Sequence, residues 1–442
     1  EREEQLLLIL DREPYLLVLD GLERILIAYA RMDAARLSDD DIDQRTANFV
    51  AKAYGLPESA AQSFVGQHML RKTSDPRAGS FLRKLANARA SKILVSTRLY
   101  PADLQSVTGE PANGCSAIFL RGLNDDDALN LWRAFHVSGA RETLLPLFHK
   151  FENHPLLMQS LASEIANYRR APGDFERWQK DHLNFDPFSL PMTEVKGHVL
   201  GFAMQGLYKN ARNVLETIAA FSMPAHYDTL AAIFVGEEKL FLAELGLDKA
   251  LKELEDRGLL GWDKRANRYD LHPIVRGVVW NRLPDAARNG VFTSLQAHFN
   301  AIPEVNEDEV NSLEDLAPVI ELFNTLIGLK QYDDAAFLFQ KRIERAMHFR
   351  LSASRQIGEL LEMLFPNGTD QLPHLKSQNW KSYILGTLAL SYGYSGHPQQ
   401  AALLYDRAKN INDTQENLVS DLLGLTFSLS VSGVVNKSEA TA

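Results

Sequence analysis

Two short, uninterrupted apolar runs constrain the fold of this chain more than any other feature. They are Tyr15-Leu-Leu-Val-Leu19 and Lys92-Ile-Leu-Val-Ser96. Continuous runs of this kind fit strands buried on both faces, as in a parallel sheet covered by helices. Phe81, Leu82 and Leu85 recur at helical spacing just before the second run, so a helix packs there. The polar stretches LSDDDIDQR and RKTSDPRAGS between the runs read as loop and surface helix. The first 120 residues are therefore expected to form an α/β unit.

Beyond it the pattern turns helical. Over 121–186, Asn124 is a plausible N-cap, with acids in the first turn suited to the positive end of the helix dipole. The stripe Ala128, Leu131, Trp132 and Phe135 follows. The segment FDPFSLPM marks a boundary. Residues 187–290 read as a small winged helix. LDKALKELEDRG closes on Gly258, GLLGWDKRANRYDLH gives two short strands around a turn, and Pro273 opens the last helix. From 300 to 442, Leu388, Ala389, Tyr392, Gly396, Ala401, Tyr405 and Ala408 fall at the spacings of a tetratricopeptide repeat. QYDDAAFLF, with Tyr332, Ala335 and Phe339, is a weaker copy about two repeat lengths upstream, which leaves room for one divergent repeat between. An irregular helical bundle is the alternative.

Composition narrows the function classes. The 442 residues carry 47 basic and 57 acidic side chains, a net charge of −10, which argues against the whole chain being a nucleic-acid binder. In the candidate recognition helix Lys249, Lys252 and Arg257 are outnumbered by Asp248, Glu253, Glu255 and Asp256, the wrong balance for phosphate contacts. DNA is thus not expected as a partner. One cysteine, Cys115, cannot form an internal bridge, so a reducing compartment, the cytoplasm, is expected. No apolar run reaches the roughly 18 residues of a membrane span. The start at Glu1, directly before an apolar run, and the abrupt end suggest the interior of a longer protein.

The chemistry gathers at the ends of the two strands. A strand ending in Asp20 puts a carboxylate at the sheet's C-terminal edge, where α/β proteins bind ligands. In phosphate-transfer folds such a carboxylate holds magnesium, usually through water. Glu23, three residues on, could orient or deprotonate an attacking water. Ser96, Thr97 and Arg98 bring hydroxyls and a guanidinium to the same edge, and an arginine there can read a terminal phosphate. Each has a plainer reading: Asp also starts turns, and Arg98 could simply cap a strand end. His149 and His154 lack metal-ligand spacing. Ser395, in GYSGH, does not fit a nucleophile elbow. Cys115 has no activating neighbour in sequence.

In order along the chain these segments resemble the signal-transduction NTPases of the STAND class, which includes NACHT and NB-ARC proteins. DGLE resembles the NACHT form of the Walker B motif, and SKILVSTR the sensor strand. GLNDDDALNLW resembles the start of the following helical domain, NHPLLMQSLA the GxP segment, and YDLHPIVR the histidine motif. The resemblance implies a multidomain, mainly α protein: a partial α/β P-loop-type domain, a helical domain, a winged helix and a tetratricopeptide-like array. It implies ATP or ADP with Mg as cofactors, with Asp20 at the metal through water and Glu23 activating water. Arg98 would sense phosphate, Pro155 pack near the adenine, and His272 contact the β-phosphate of ADP. His272-Pro273 also reads as an ordinary strand-to-helix junction.

The sequence departs from the class in places. GxxxxGK[ST] is absent, and truncation before the Walker B strand would account for its loss. Asn153 stands where many members carry glycine, although asparagine tolerates a left-handed backbone. The function implied is an ADP/ATP-operated switch. In it a repeat sensor binds a protein or other ligand, controls exchange and self-oligomerisation, and drives an effector domain outside this chain, in bacterial antiviral defence. Slow ATP hydrolysis would depend on a phosphate loop upstream. The alternatives are a transcriptional regulator of the same class and a non-enzymatic interaction scaffold.

Overall fold

The computed structural model describes residues 2–27, 71–106, 108–411 and 424–426. LSDDDIDQR and most of the chain beyond Ile411 lie outside them. The chain divides into two compact units. One joins the residues up to Ile118 with those from Ile302 onward; the other comprises chiefly Phe119–Ala301. Each therefore contains two of the four segments delimited from sequence. Helices dominate both. Among the described residues no helix is long and apolar enough to cross a membrane.

In the first unit, β1 (Leu16–Leu19) and β2 (Lys92–Val95) pair in parallel, Leu16 opposite Lys92 and Leu19 opposite Val95. Leu17, Leu19, Ile93 and Val95 pack on a core of Leu10, Leu22, Leu82, Leu85 and Leu104. Leu10 belongs to the helix Arg2–Arg12, and Leu82 and Leu85 to the helix Pro76–Leu85. Asp75 caps the latter by accepting the Arg77 N–H at 2.8 Å. The other sheet face departs from expectation. Leu16, Val18 and Leu94 are 68%, 55% and 56% exposed, because among the described residues no layer covers them. The strands are half-buried, not buried on both faces.

The same unit holds two helix pairs, Ala317–Gly328 with Tyr332–Arg342 and Gln378–Tyr394 with Pro398–Ile411. Ala335, Phe339, Leu388, Ala389, Ala401, Tyr405 and Ala408 are buried, whereas Tyr332 and Tyr392 are half-buried and Gly396 is exposed, so most of the repeat-spaced residues are packing residues. Between the pairs lie a single turn of π-helix, Ala346–Arg350, one helix, Ser354–Glu362, and irregular chain before Gln378. That stretch keeps only one α-helix of the repeat expected there.

In the second unit, the helices Asp125–Ala134, Arg141–Lys150, Pro155–Ala166 and Phe175–Asp181 surround buried Trp132 and Trp178. Trp132 stands edge-on to Phe148 and Phe175, and its indole N–H donates to the Met158 carbonyl at 3.2 Å. Asn124 is the N-cap, accepting the Asp127 N–H at 2.9 Å. Farther on, the helix Glu244–Asp256 gives way to Gly258 at φ 67°, a left-handed position that glycine enters without steric cost. A small antiparallel sheet orders β3 (Ala225–His226), β5 (Arg268–Asp270) and β4 (Gly261–Asp263), with β5 central. The helix Pro273–Arg282 follows it.

Arg257, counted from sequence among the bases of a recognition helix, is buried. It donates to the Glu164 carboxylate at 2.5 Å and to the Gly206 carbonyl at 2.9 Å, with Glu253 at 3.3 Å. A guanidinium satisfied inside the protein does not reach a phosphate backbone.

Candidate functional site

In the first unit the register of β1 on β2 puts Asp20 and Ser96 side by side past the strand ends. Ser96 N donates to the Leu19 carbonyl at 3.0 Å, and Leu22 N to the Ser96 carbonyl at 3.0 Å. The Ser96 hydroxyl donates to Asp20 Oδ1 and accepts the Gly21 N–H at 3.0 Å. Gly21, at φ 70°, turns the chain sharply into the 3-10 turn Leu22–Ile25. That turn carries Glu23 back over the strand ends, where Arg98 Nε lies 3.6 Å from Glu23 Oε1. Three residues singled out from sequence, Asp20, Glu23 and Arg98, are thus brought together. Thr97 is spent locally, donating to the Leu99 carbonyl at 2.8 Å.

The donor set restricts which cation fits. Among the described residues no group of three or more His, Cys, Asp or Glu side chains could hold a metal by itself. A zinc-type cage is therefore missing from them. One exposed carboxylate, oriented by a serine hydroxyl, suits a magnesium ion that keeps its waters and takes its other ligands from phosphates.

In the second unit two helix starts of the same design approach one another. His154 precedes Pro155 at the head of Pro155–Ala166, and His272 precedes Pro273 at the head of Pro273–Arg282. Proline suits a first helical turn because its fixed φ is helical and the missing N–H would have no intrahelical partner. The two imidazoles stand edge to face, centroids 6.5 Å apart. His272 and Pro155 are both exposed. His272 Nδ1 accepts the Ile274 N–H at 3.3 Å, which fixes Nε2 as the protonated nitrogen of the neutral ring. His272 is thus also the strand-to-helix junction its neighbours suggested.

Both histidines are braced from behind. Asn153 adopts φ 51°, a left-handed backbone that asparagine tolerates. Its side-chain amide donates to the Leu123 carbonyl at 2.6 Å and to Asp125 at 3.2 Å. Its carbonyl accepts the Leu123 N–H at 3.0 Å. His149 bonds to Asp125 at 2.8 Å, and the Asp125 carboxyl is held below its ordinary range by the His149 and Asn153 hydrogen bonds. A Cβ on Gly122 would lie 1.8 Å from the Glu152 carbonyl oxygen, so only glycine fits this clasp. GLND and NHP, distant in sequence, form one structural element.

Arg276, which sequence reasoning missed, braces His272. It is 1% exposed. Its guanidinium donates to the carbonyls of Ile218, Ala219 and Phe221 at 3.0, 3.2 and 2.5 Å, and to Asp270 at 2.5 Å. Those carbonyls are left over at the end of the helix Lys209–Ala220. An arginine four residues after a histidine gives no hint of this from sequence; the signal would have been an arginine on the buried stripe of the helix.

No family model matches the chain, and no curated protein does. Among solved structures, all of the chain aligns with 67% of a signal transduction ATPase with numerous domains (STAND) protein with a tetratricopeptide repeat sensor from Pyrococcus horikoshii. The identity is 13% and the TM-score 0.36.

Proposed function

We propose that this chain is part of a nucleotide-operated switch of the STAND class, of the NACHT or NB-ARC kind, with the helices beyond residue 300 as its sensor. The observation that carries the reading is the convergence of Asp20, Ser96, Glu23 and Arg98 past the ends of two parallel strands. Bound magnesium would supply charge neutralisation on the phosphates. Asp20 would orient it through water, with Ser96 fixing the carboxylate. Glu23 and Arg98 form an ion pair. A terminal phosphate would offer Arg98 a second anionic partner and so free Glu23 to orient water. The pair would thereby tell ATP from ADP.

His272 would donate from Nε2 to the β-phosphate of ADP, and Pro155 would pack near the adenine. The two bracing networks hold these residues in place before any ligand arrives, which lowers the cost of ordering on binding. The proposed output is exchange of ADP for ATP and self-assembly, triggered when the repeats bind a protein or other ligand. An effector outside this chain would be activated, in antiviral defence. Calorimetry of the whole chain with ADP, and with ATP plus magnesium, tests the reading. H272A is expected to weaken ADP about ten-fold, the loss of one hydrogen bond to a charged group. D20N is expected to remove the magnesium dependence of ATP binding. Wild-type protein that binds neither nucleotide would reduce the chain to an interaction scaffold.

A further inference from the structure

The turn that carries Glu23 is held from the far end of the chain. After the turn, Leu26 is fully buried and forms an antiparallel bridge with Thr73. Ile27 N donates to the Lys72 carbonyl at 2.9 Å, and Ser74 gives its N–H and hydroxyl to the Ile25 carbonyl at 2.8 and 3.1 Å. Thr73 is anchored in turn by Asp103, which accepts its N–H at 2.8 Å and its hydroxyl at 3.0 Å. This clip fixes one end of the acid-bearing turn to the helix Pro76–Leu85.

The C-terminal helices reach the same clip at two points. Arg355, on the first turn of Ser354–Glu362, donates from Nη2 to the Arg24 carbonyl at 3.1 Å. Its Nε is tied to Glu359 at 3.1 Å one helical turn along, so the side chain is held at both ends of its fork. His397, at the tip between Gln378–Tyr394 and Pro398–Ile411, makes a hydrogen bond with the Ser74 backbone and feels Asp75 and Arg355. The two helical elements are locked to each other, because Tyr392 donates to Glu362 at 2.8 Å.

We propose that Arg355 is a positioning residue through which the repeat helices set the conformation of the turn bearing Asp20 and Glu23, so that a ligand on the repeats alters the site directly. The proposal rests on the reading of Asp20 and Glu23 given above. Arg24 O belongs to the residue after Glu23, so any tilt of the helix Ser354–Glu362 pulls on the acid's own backbone. A guanidinium suits the task, since its planar fork serves Glu359 and the carbonyl in one geometry.

Hydrogen exchange on the whole chain, without nucleotide, tests the contact. R355A, and the polar but shorter and uncharged R355Q should R355A fail to fold, are expected to speed amide exchange at Leu22, Leu26, Ile27 and Ser74 about ten-fold. Exchange in β1 and β2 should stay unchanged, and R355K should restore part of the protection. Exchange at those four amides equal to wild type in a folded variant would overturn the proposal, whatever the nucleotide data. Faster exchange in a protein whose wild type binds no nucleotide would leave the contact standing and remove the functional reading instead. If both hold, R355A is also expected to change magnesium-ATP affinity while ADP affinity is kept.

Discussion

Arg98 is paired with Glu23, Nε to Oε1 at 3.6 Å. The side chains are 30% and 14% exposed, and their approach is longer than a hydrogen bond. The pair joins a guanidinium and a carboxylate at the edge where the two strands end.

R98Q tests ligand recognition at this edge. ATP binding in magnesium should weaken about ten-fold, by the loss of a charged hydrogen bond, while ADP binding is unchanged. Calorimetry with both nucleotides decides it, and equal losses for ATP and ADP would count against phosphate sensing.

Asn153 offers an ordering test. N153G gives up the side-chain bonds to Leu123 and Asp125 but is at ease at φ 51°. N153A gives up the same bonds and adds left-handed strain of about 1–2 kcal/mol. Thermal unfolding should rank wild type above N153G and N153G above N153A; the reverse order of the two variants would refute the backbone argument.

Arg276 should be the more costly brace. Truncation to alanine leaves three helix-end carbonyls and Asp270 without their donor, an expected loss of about 3–5 kcal/mol in urea denaturation. D270N should cost much less, because Asp270 is 45% exposed and water can replace the arginine there. Near-equal losses would mean that the ion pair, and not the carbonyls, sets the cost.

His397 supplies a pH dependence. Burial and then Arg355 lower its pKa from 6.5. The folded state thus favours the neutral ring, and the unfolded chain binds the proton more readily. Stability from this group is fully present above about pH 6.5 and is lost as pH falls through the folded value. Amides of the 73–75 clip should lose protection, measured against the intrinsic exchange rate at each pH, in that acid window, and H397Q should flatten the response.

Much of this was readable along the chain, for physical reasons that differ by residue. The two apolar tetrads declared β1 and β2, and Asn124, Gly258 and Pro273 declared helix ends, because caps act over one or two residues. Asp20, Glu23 and Arg98 were also legible, since a parallel pair carries the residues after both strands to one edge. Arg257 and Arg276 were not, because a charged side chain reads as surface unless its partners are known, and those partners are backbone carbonyls and acids that nothing in the sequence pairs with them. The exposed face of Leu16, Val18 and Leu94 was equally hidden, as a strand's apolar run does not say which layers exist to cover it.

The contact between Arg355 and Arg24 spans 331 residues, and that separation imposes an order on synthesis. At about 5–20 residues per second, the turn bearing Glu23 leaves the ribosome roughly 15–65 s before its distant guanidinium exists. The nascent site waits through that interval without its tether. A chain that stops between the strand Lys92–Val95 and the helix Ser354–Glu362 would carry both carboxylates and still lack the guanidinium proposed to tether their turn.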